Sequence, residues 1–152
     1  MSIEHEAISF TTVYQTLFHT IFSIAYRITG NMTVAEEISQ ESFLKYYEKA
    51  PDLPDLDQAR YWLIRVTKNL CYNNEKRKAR EKRAYQRALR EPERPNHSGE
   101  DLFLHEESKE EVQRALNDVP YNLRSVLVLK EYGQLNYRQI GNLLGISESN
   151  VK

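Results

Sequence analysis

The apolar positions of this chain recur at three- and four-residue steps, and nowhere alternate at period two for long enough to make a strand. Ile8, Val13, Leu17, Phe18, Ile21, Ile24, Ala25 and Ile28 mark an amphipathic helix from about Ala7 to Thr29, with Gly30 as its left-handed stop. Thr33-Val34-Ala35-Glu36 reads as a capping box for a second helix, which carries Ala35, Ile38, Phe43 and Tyr46 inward and ends before Pro51. Residues Pro51 to Asp57 contain two prolines and form a loop. Asp57 then caps a third helix from near Gln58, with Trp62, Leu63, Val66, Leu70 and Cys71 on its apolar face. Beyond Asn73 that helix turns polar, and residues 75–83 are expected to protrude from the core into solvent.

Pro92, Pro95, Asn96, Ser98 and Gly99 mark a linker. After it, Leu104 to Val119 reads as a charged amphipathic helix ahead of Pro120. Leu123, Val126, Leu127 and Leu129 build the next, which Gly133 ends, and two short pieces follow: Tyr137–Leu144, then Ser147 onward. The pattern predicts an all-α fold of two helical domains, residues 1–91 and 104–152, joined by a flexible linker over 92–103.

Composition and charge change this picture. The lone Cys71 excludes an internal disulfide framework and any zinc site built on cysteines. No run of eighteen apolar residues is present and the N-terminus has no basic-then-apolar segment, so a cytoplasmic, soluble protein without membrane insertion is expected. The net charge of −1 conceals a strong asymmetry. Residues 1–59 hold three Lys/Arg against nine Asp/Glu, residues 60–94 twelve against four, and residues 95–152 six against nine. One segment therefore suits a polyanion, and the acidic segment before it does not.

The sharpest local motif is the last. Ile140, Leu144, Ile146 and Val151 are the expected inward positions of two crossing helices, Gly141 the point of closest approach, Gly145 the turn and Ser147 the cap. This is helix-turn-helix spacing, whose second helix enters the major groove. A helix starting near Glu148 has about five residues here, on the order of 7 Å at 1.5 Å each. The expectation is a chain that continues past Lys152.

On the third helix, Arg60, Arg65 and Lys68 accompany Tyr61, Trp62, Asn69, Tyr72 and Asn73. Cations hold phosphates, aromatic rings stack on bases and Asn bonds base edges, so this face suits exposed single-stranded DNA. Composition alone leaves a solvated charged face equally open, with Trp62 in the core on either reading. Catalytic readings are weaker. His5, His19, His97 and His105 are scattered without spaced partners, Glu36 and Glu37 point about 100° apart, and no phosphate loop or nucleophile elbow is present. No catalytic residue, metal site or cofactor is expected.

In order, these pieces resemble the extracytoplasmic-function subfamily of bacterial sigma factors. Ala35-Glu36-Glu37, Gln40, Phe43, Tyr61-Trp62-Leu63 and Asn69-Leu70 are similar to that family's second conserved region. Val119-Pro120, Leu123-Arg124, Val126-Leu127-Val128-Leu129, Tyr137, Ile140-Gly141, Gly145-Ile146-Ser147 and Val151-Lys152 are similar to its fourth. Glu37 stands where the family usually has Asp, and Ser149-Asn150 replaces a common Gly-Thr.

The resemblance implies a factor that docks on core RNA polymerase through Glu36, Glu37, Gln40 and Glu41, directs it to promoter DNA and helps melt it, without catalysis of its own. It implies a minus-ten site drawn from Lys45, Asp52, Leu53, Arg60, Tyr61, Arg65, Lys68, Asn69, Tyr72, Asn73, Lys76 and Arg77. Among these, Lys45, Asp52, Leu53 and Asn69 match positions that border a pocket for a flipped base. Tyr137, Arg138, Ser147, Ser149, Asn150 and Lys152 would serve the minus-thirty-five duplex. An anti-sigma partner is implied as well. The alternative is a helix-turn-helix regulator that binds duplex DNA without polymerase.

Overall fold

The computed structural model describes residues 9–49, 53–89 and 107–151. Seven helices and no strand occur among them: α1 (Phe10–Thr29), α2 (Met32–Lys49), α3 (Leu56–Leu89), α4 (Glu107–Asn117), α5 (Tyr121–Glu131), α6 (Tyr137–Leu144) and α7 (Glu148–Val151). The expected linker, together with Ala7, Ile8, Leu104, Asp52 and Lys152, lies outside the described residues. None of the described helices is long and apolar enough to cross a membrane.

Helix α1 starts where the Ser9 side chain accepts the Thr12 amide, and stops at Gly30, whose φ of 72° a residue with a Cβ adopts only at a cost. Left-handed Gly30 delivers Asn31, not Thr33, to the start of α2. The Asn31 side chain accepts the Val34 amide at 2.9 Å, and Thr33 lies exposed within the first turn. Helix α3 is likewise capped two residues earlier than expected. The Asp55 carboxylate accepts the Gln58 amide at 2.8 Å, so Asp57 sits in the first turn, where its charge suits the helix dipole.

Helices α1, α2 and α3 pack against one another around Ile21, Ile24, Ile28, Phe43, Tyr46, Leu63 and Ile64, all essentially inaccessible to water. Two serines that the apolar pattern passes over, Ser39 and Ser42, are also buried there. Each hydroxyl donates to a carbonyl one turn back, and Ser42 and Thr67 share a further hydrogen bond of 3.0 Å across the α2–α3 seam. Small satisfied hydroxyls let these helices approach closely without an unpaired polar group. Past Asn74, α3 continues to Leu89 with its side chains mostly exposed, as the polar run 75–83 predicts.

In the second half, α5 buries Ser125, Val128 and Leu129, whereas Leu123 and Leu127 are exposed. Of the four apolar residues that mark this helix in the sequence, Leu129 is buried, Val126 half-buried and the other two exposed. Helix α5 lies against α1 through the side that carries the small Ser125, and that contact decides which residues are inside. In the helix-turn-helix, Ile140, Leu143 and Val151 are buried, while Leu144 is half-buried and Ile146 is exposed. A Cβ on Gly141 would stand 2.8 Å from the Ile146 carbonyl oxygen, so the turn closes only on glycine there. Gly145 takes φ 72°, and Ser147 caps α7.

The two halves also pack on each other. Helix α1 touches α2 and α3 on one side and α4 and α5 on another. The buried Arg27 guanidinium donates to Gln113 Oε1 at 3.2 Å and lies over the Tyr132 ring. This seating has no local signature in the sequence, since Arg27 and Gln113 are 86 positions apart.

Candidate nucleic-acid and protein interface

Two exposed faces of opposite charge emerge from the first three helices. On α2, Glu36, Glu37, Gln40 and Glu41 are all exposed; Glu36 with Gln40 and Glu37 with Glu41 are each one turn apart, making two neighbouring rows on the solvent side of the helix. Exposed Leu44 and Tyr47 continue along the same helix. An acidic rim with an apolar extension repels nucleic acid and suits a protein surface.

Helix α3 carries the other face. Arg65, Asn69, Tyr72, Asn73, Lys76 and Arg77 are exposed, and Arg60, Tyr61 and Lys68 half-buried. Burial, and then the neighbouring Arg65 guanidinium, hold the Lys68 ammonium below its ordinary pKa. A phosphate placed between these cations would relieve both their repulsion and the loss of solvent. Lys76 lies 4.9 Å over the Tyr72 ring, and Arg77 bonds Asn74 at 3.1 Å. The exposed Arg77–Glu81 pair, at 4.0 Å, adds little to stability and leaves the helix cationic.

A cleft of about 530 Å³ opens beside this face, lined by Leu53, Asp57, Gln58, Tyr61, Trp62 and Arg65, and by Gln139 and Asn142 of α6. Of the residues implied for a base pocket, Leu53 is in its wall; Lys45 and Asn69 are not, and Asp52 is outside the described residues. Trp62, expected in the core, is half-buried: it meets Tyr46 edge-on at 5.7 Å and shows its other side to the cleft. Gln139 and Asn142 escaped the sequence reading because they lie beyond the linker, on a helix that nothing local ties to α3.

On the helix-turn-helix, Tyr137, Arg138, Ser147, Ser149 and Asn150 are exposed, and the Lys130 ammonium stands 4.9 Å over the Tyr137 ring. Asn136 and Gln139 form a reciprocal capping box that fixes where α6 begins. The turn therefore presents short polar side chains beside a cation, which suits a duplex surface.

The family models Sigma-70 region 2 and Sigma-70, region 4 match residues 13–81 and 109–152, in that order, and together span about three quarters of the chain. The chain belongs to the extracytoplasmic-function branch of the sigma-70 factors. Its relatives include the ECF RNA polymerase sigma factor SigE of Mycolicibacterium smegmatis, 28% identical over 87% of this chain and 51% of that one. SigW of Bacillus subtilis is 26% identical over 87% of this chain and 75% of its own length. This sigma factor thus spans about half the length of one curated relative and three quarters of another. A solved structure of the sigma factor RpoE from Bartonella quintana, in complex with the anti-sigma factor NepR, shares the fold. Its TM-score is 0.72 at 15% identity, covering 93% of this chain and 86% of that one.

Proposed function

We propose that this sigma factor binds core RNA polymerase, brings it to a class of promoters and helps open the DNA there, without catalysing a reaction itself. The observation that carries this reading is the sorting of charge onto separate helices: an acidic flank on α2 and a cationic, aromatic flank on α3. A protein that only bound duplex DNA would gain nothing from an acidic rim so close to its basic one.

In this reading residues 1–91 hold polymerase and the minus-ten element, 92–103 link, and 104–152 hold the minus-thirty-five element. Glu36, Glu37, Gln40 and Glu41 dock on polymerase. Arg60, Arg65, Lys68, Lys76 and Arg77 neutralise phosphates of the melted strand, while Tyr61, Tyr72, Asn69 and Asn73 stack on and bond its bases. Base edges and faces become available only once the duplex opens, so these residues capture the open state and favour melting. Tyr137, Arg138, Ser147, Ser149, Asn150 and Lys152 grip the upstream duplex. The setting is the cytoplasm, where polymerase and promoters are. An anti-sigma factor is a fitting regulator, because the RpoE chain of like fold is held by one.

The test is transcription reconstituted with core polymerase. Asn69→Ala removes one base-edge contact from an exposed position. It should lower promoter-specific initiation about fivefold or more, the effect of losing about 1–3 kcal/mol, and leave polymerase affinity unchanged. Equal loss of both would count against the assigned role.

A further inference from the structure

We propose that the cleft beside α3 is a binding site for a free adenine mononucleotide, with the base on Trp62 and the phosphate on Arg65. The site stands on the cleft alone; only its competition with DNA rests on the promoter reading of α3.

The α3 wall of the cleft is a ladder of unlike groups. Asp57, Tyr61, Trp62 and Arg65 follow one another at helical steps along one side of the helix. Asp57 and Arg65 stand eight positions apart, about 12 Å at 1.5 Å per residue. A carboxylate thus closes one end, a guanidinium the other, and two aromatic rings lie between. A nucleotide presents its amine edge, its base and its phosphate in that same order. The volume of about 530 Å³ is that of a small-molecule site and takes a single nucleotide.

Each group has the surroundings that its part needs. Trp62 is braced from inside by the buried Tyr46, which it meets edge-on at 5.7 Å, so its ring is a platform before anything binds. Arg65 is exposed and its near neighbour is a second cation, Lys68, whose ammonium burial and then Arg65 hold below its ordinary pKa. A phosphate there relieves that repulsion. On the opposite wall, Gln139 is partly committed: its Oε1 accepts the Asn136 amide at 3.0 Å in the cap of α6, which leaves its amide nitrogen to donate. Asn142, exposed on the same helix, keeps both donor and acceptor, the pair with which an amide bonds N6 and N7 of adenine.

Asp57 supplies the selection. Its carboxylate accepts from an amine, and a base with a carbonyl at that edge, such as uracil, meets it with like polarity. The site also has a consequence for DNA. Tyr61 and Arg65 belong to the face that reads the melted strand, so a nucleotide in the cleft and that strand exclude one another. A high nucleotide level thereby lowers strand capture by mass action.

Trp62 is the only tryptophan, so its fluorescence reports on its own cleft. The full chain is titrated with adenosine monophosphate, adenosine and uridine monophosphate, followed by that fluorescence and by calorimetry, in the parent, Arg65→Gln and Asn142→Ala. Both positions are exposed, so both variants keep the core intact. The proposal expects saturable binding of adenosine monophosphate, about tenfold tighter than adenosine for its one charge-assisted contact, and tighter than uridine monophosphate. Arg65→Gln should bind adenosine monophosphate no better than adenosine, and Asn142→Ala should bind it about fivefold more weakly than the parent does. No saturable change in either signal, equal affinity for the two monophosphates, or parent-like affinity in both variants would overturn the site. A second titration adds adenosine monophosphate to the chain bound to a short mixed-sequence single-stranded oligonucleotide. Displacement supports the competition, and a complex holding both ligands overturns it. An oligonucleotide that never binds, beside a nucleotide that does, sinks the promoter reading of α3 and leaves the nucleotide site standing.

Discussion

Cys71 shows how one residue ties packing to a measurable pH response. It is fully buried on α3 between the halves of the molecule, and burial pushes its thiol up from 9.0 to about 12. The fold holds the neutral thiol, so this group's contribution is complete below the unfolded value of 9.0. It is lost as pH rises from there towards 12, at about 1.4 kcal/mol per unit. The Tyr121 phenol, raised by burial first and then by Cys71, acts in the same direction at higher pH. Urea midpoints should therefore fall between about pH 9 and about pH 11. A disulfide reagent at about pH 8 should label the folded chain far more slowly than the unfolded one. Rapid labelling of folded protein would show that Cys71 is not where the packing puts it.

At the scale of elements, the helices were legible from period alone, and their ends were less so. Gly30 and Gly145 stop helices as expected because only the left-handed region turns the chain there, whereas caps slipped by two residues at Asn31 and Asp55. In both places two residues able to cap stand close together, and the backbone geometry entering the helix decides between them. The phase of α5 was illegible for another reason. Leu123 and Leu127 are as apolar as Leu129, and only the contact with α1 distinguishes them. Gly141 stands at the close approach that its place in the motif implies, and its role is testable. Gly141→Ala forces its Cβ to within 2.8 Å of a backbone oxygen and should destabilise the helix-turn-helix by about 1–3 kcal/mol, seen as a lower urea midpoint. An unchanged midpoint would mean that the two helices cross elsewhere.

For the whole molecule, the sequence conveyed which faces carry charge and in what order, because charge segregates along the chain as well as in space. It did not convey that the halves sit together. Arg27 with Gln113, Arg60 with Gly133 and Tyr72 with Tyr121 are pairings between distant positions, and each looks unremarkable in its own helix. Nor did it distinguish Leu53, in the wall of the cleft, from Lys45 and Asn69, which are outside it.

The central claim is that the acidic flank of α2 docks this factor on polymerase. Binding of the full chain to purified bacterial core RNA polymerase, beside a Glu37→Arg, Gln40→Ala variant, tests it most directly. Both positions are exposed, so the variant should fold like its parent. The account predicts submicromolar binding that the variant loses. No binding by the folded parent, or equal binding by the variant, would contradict it.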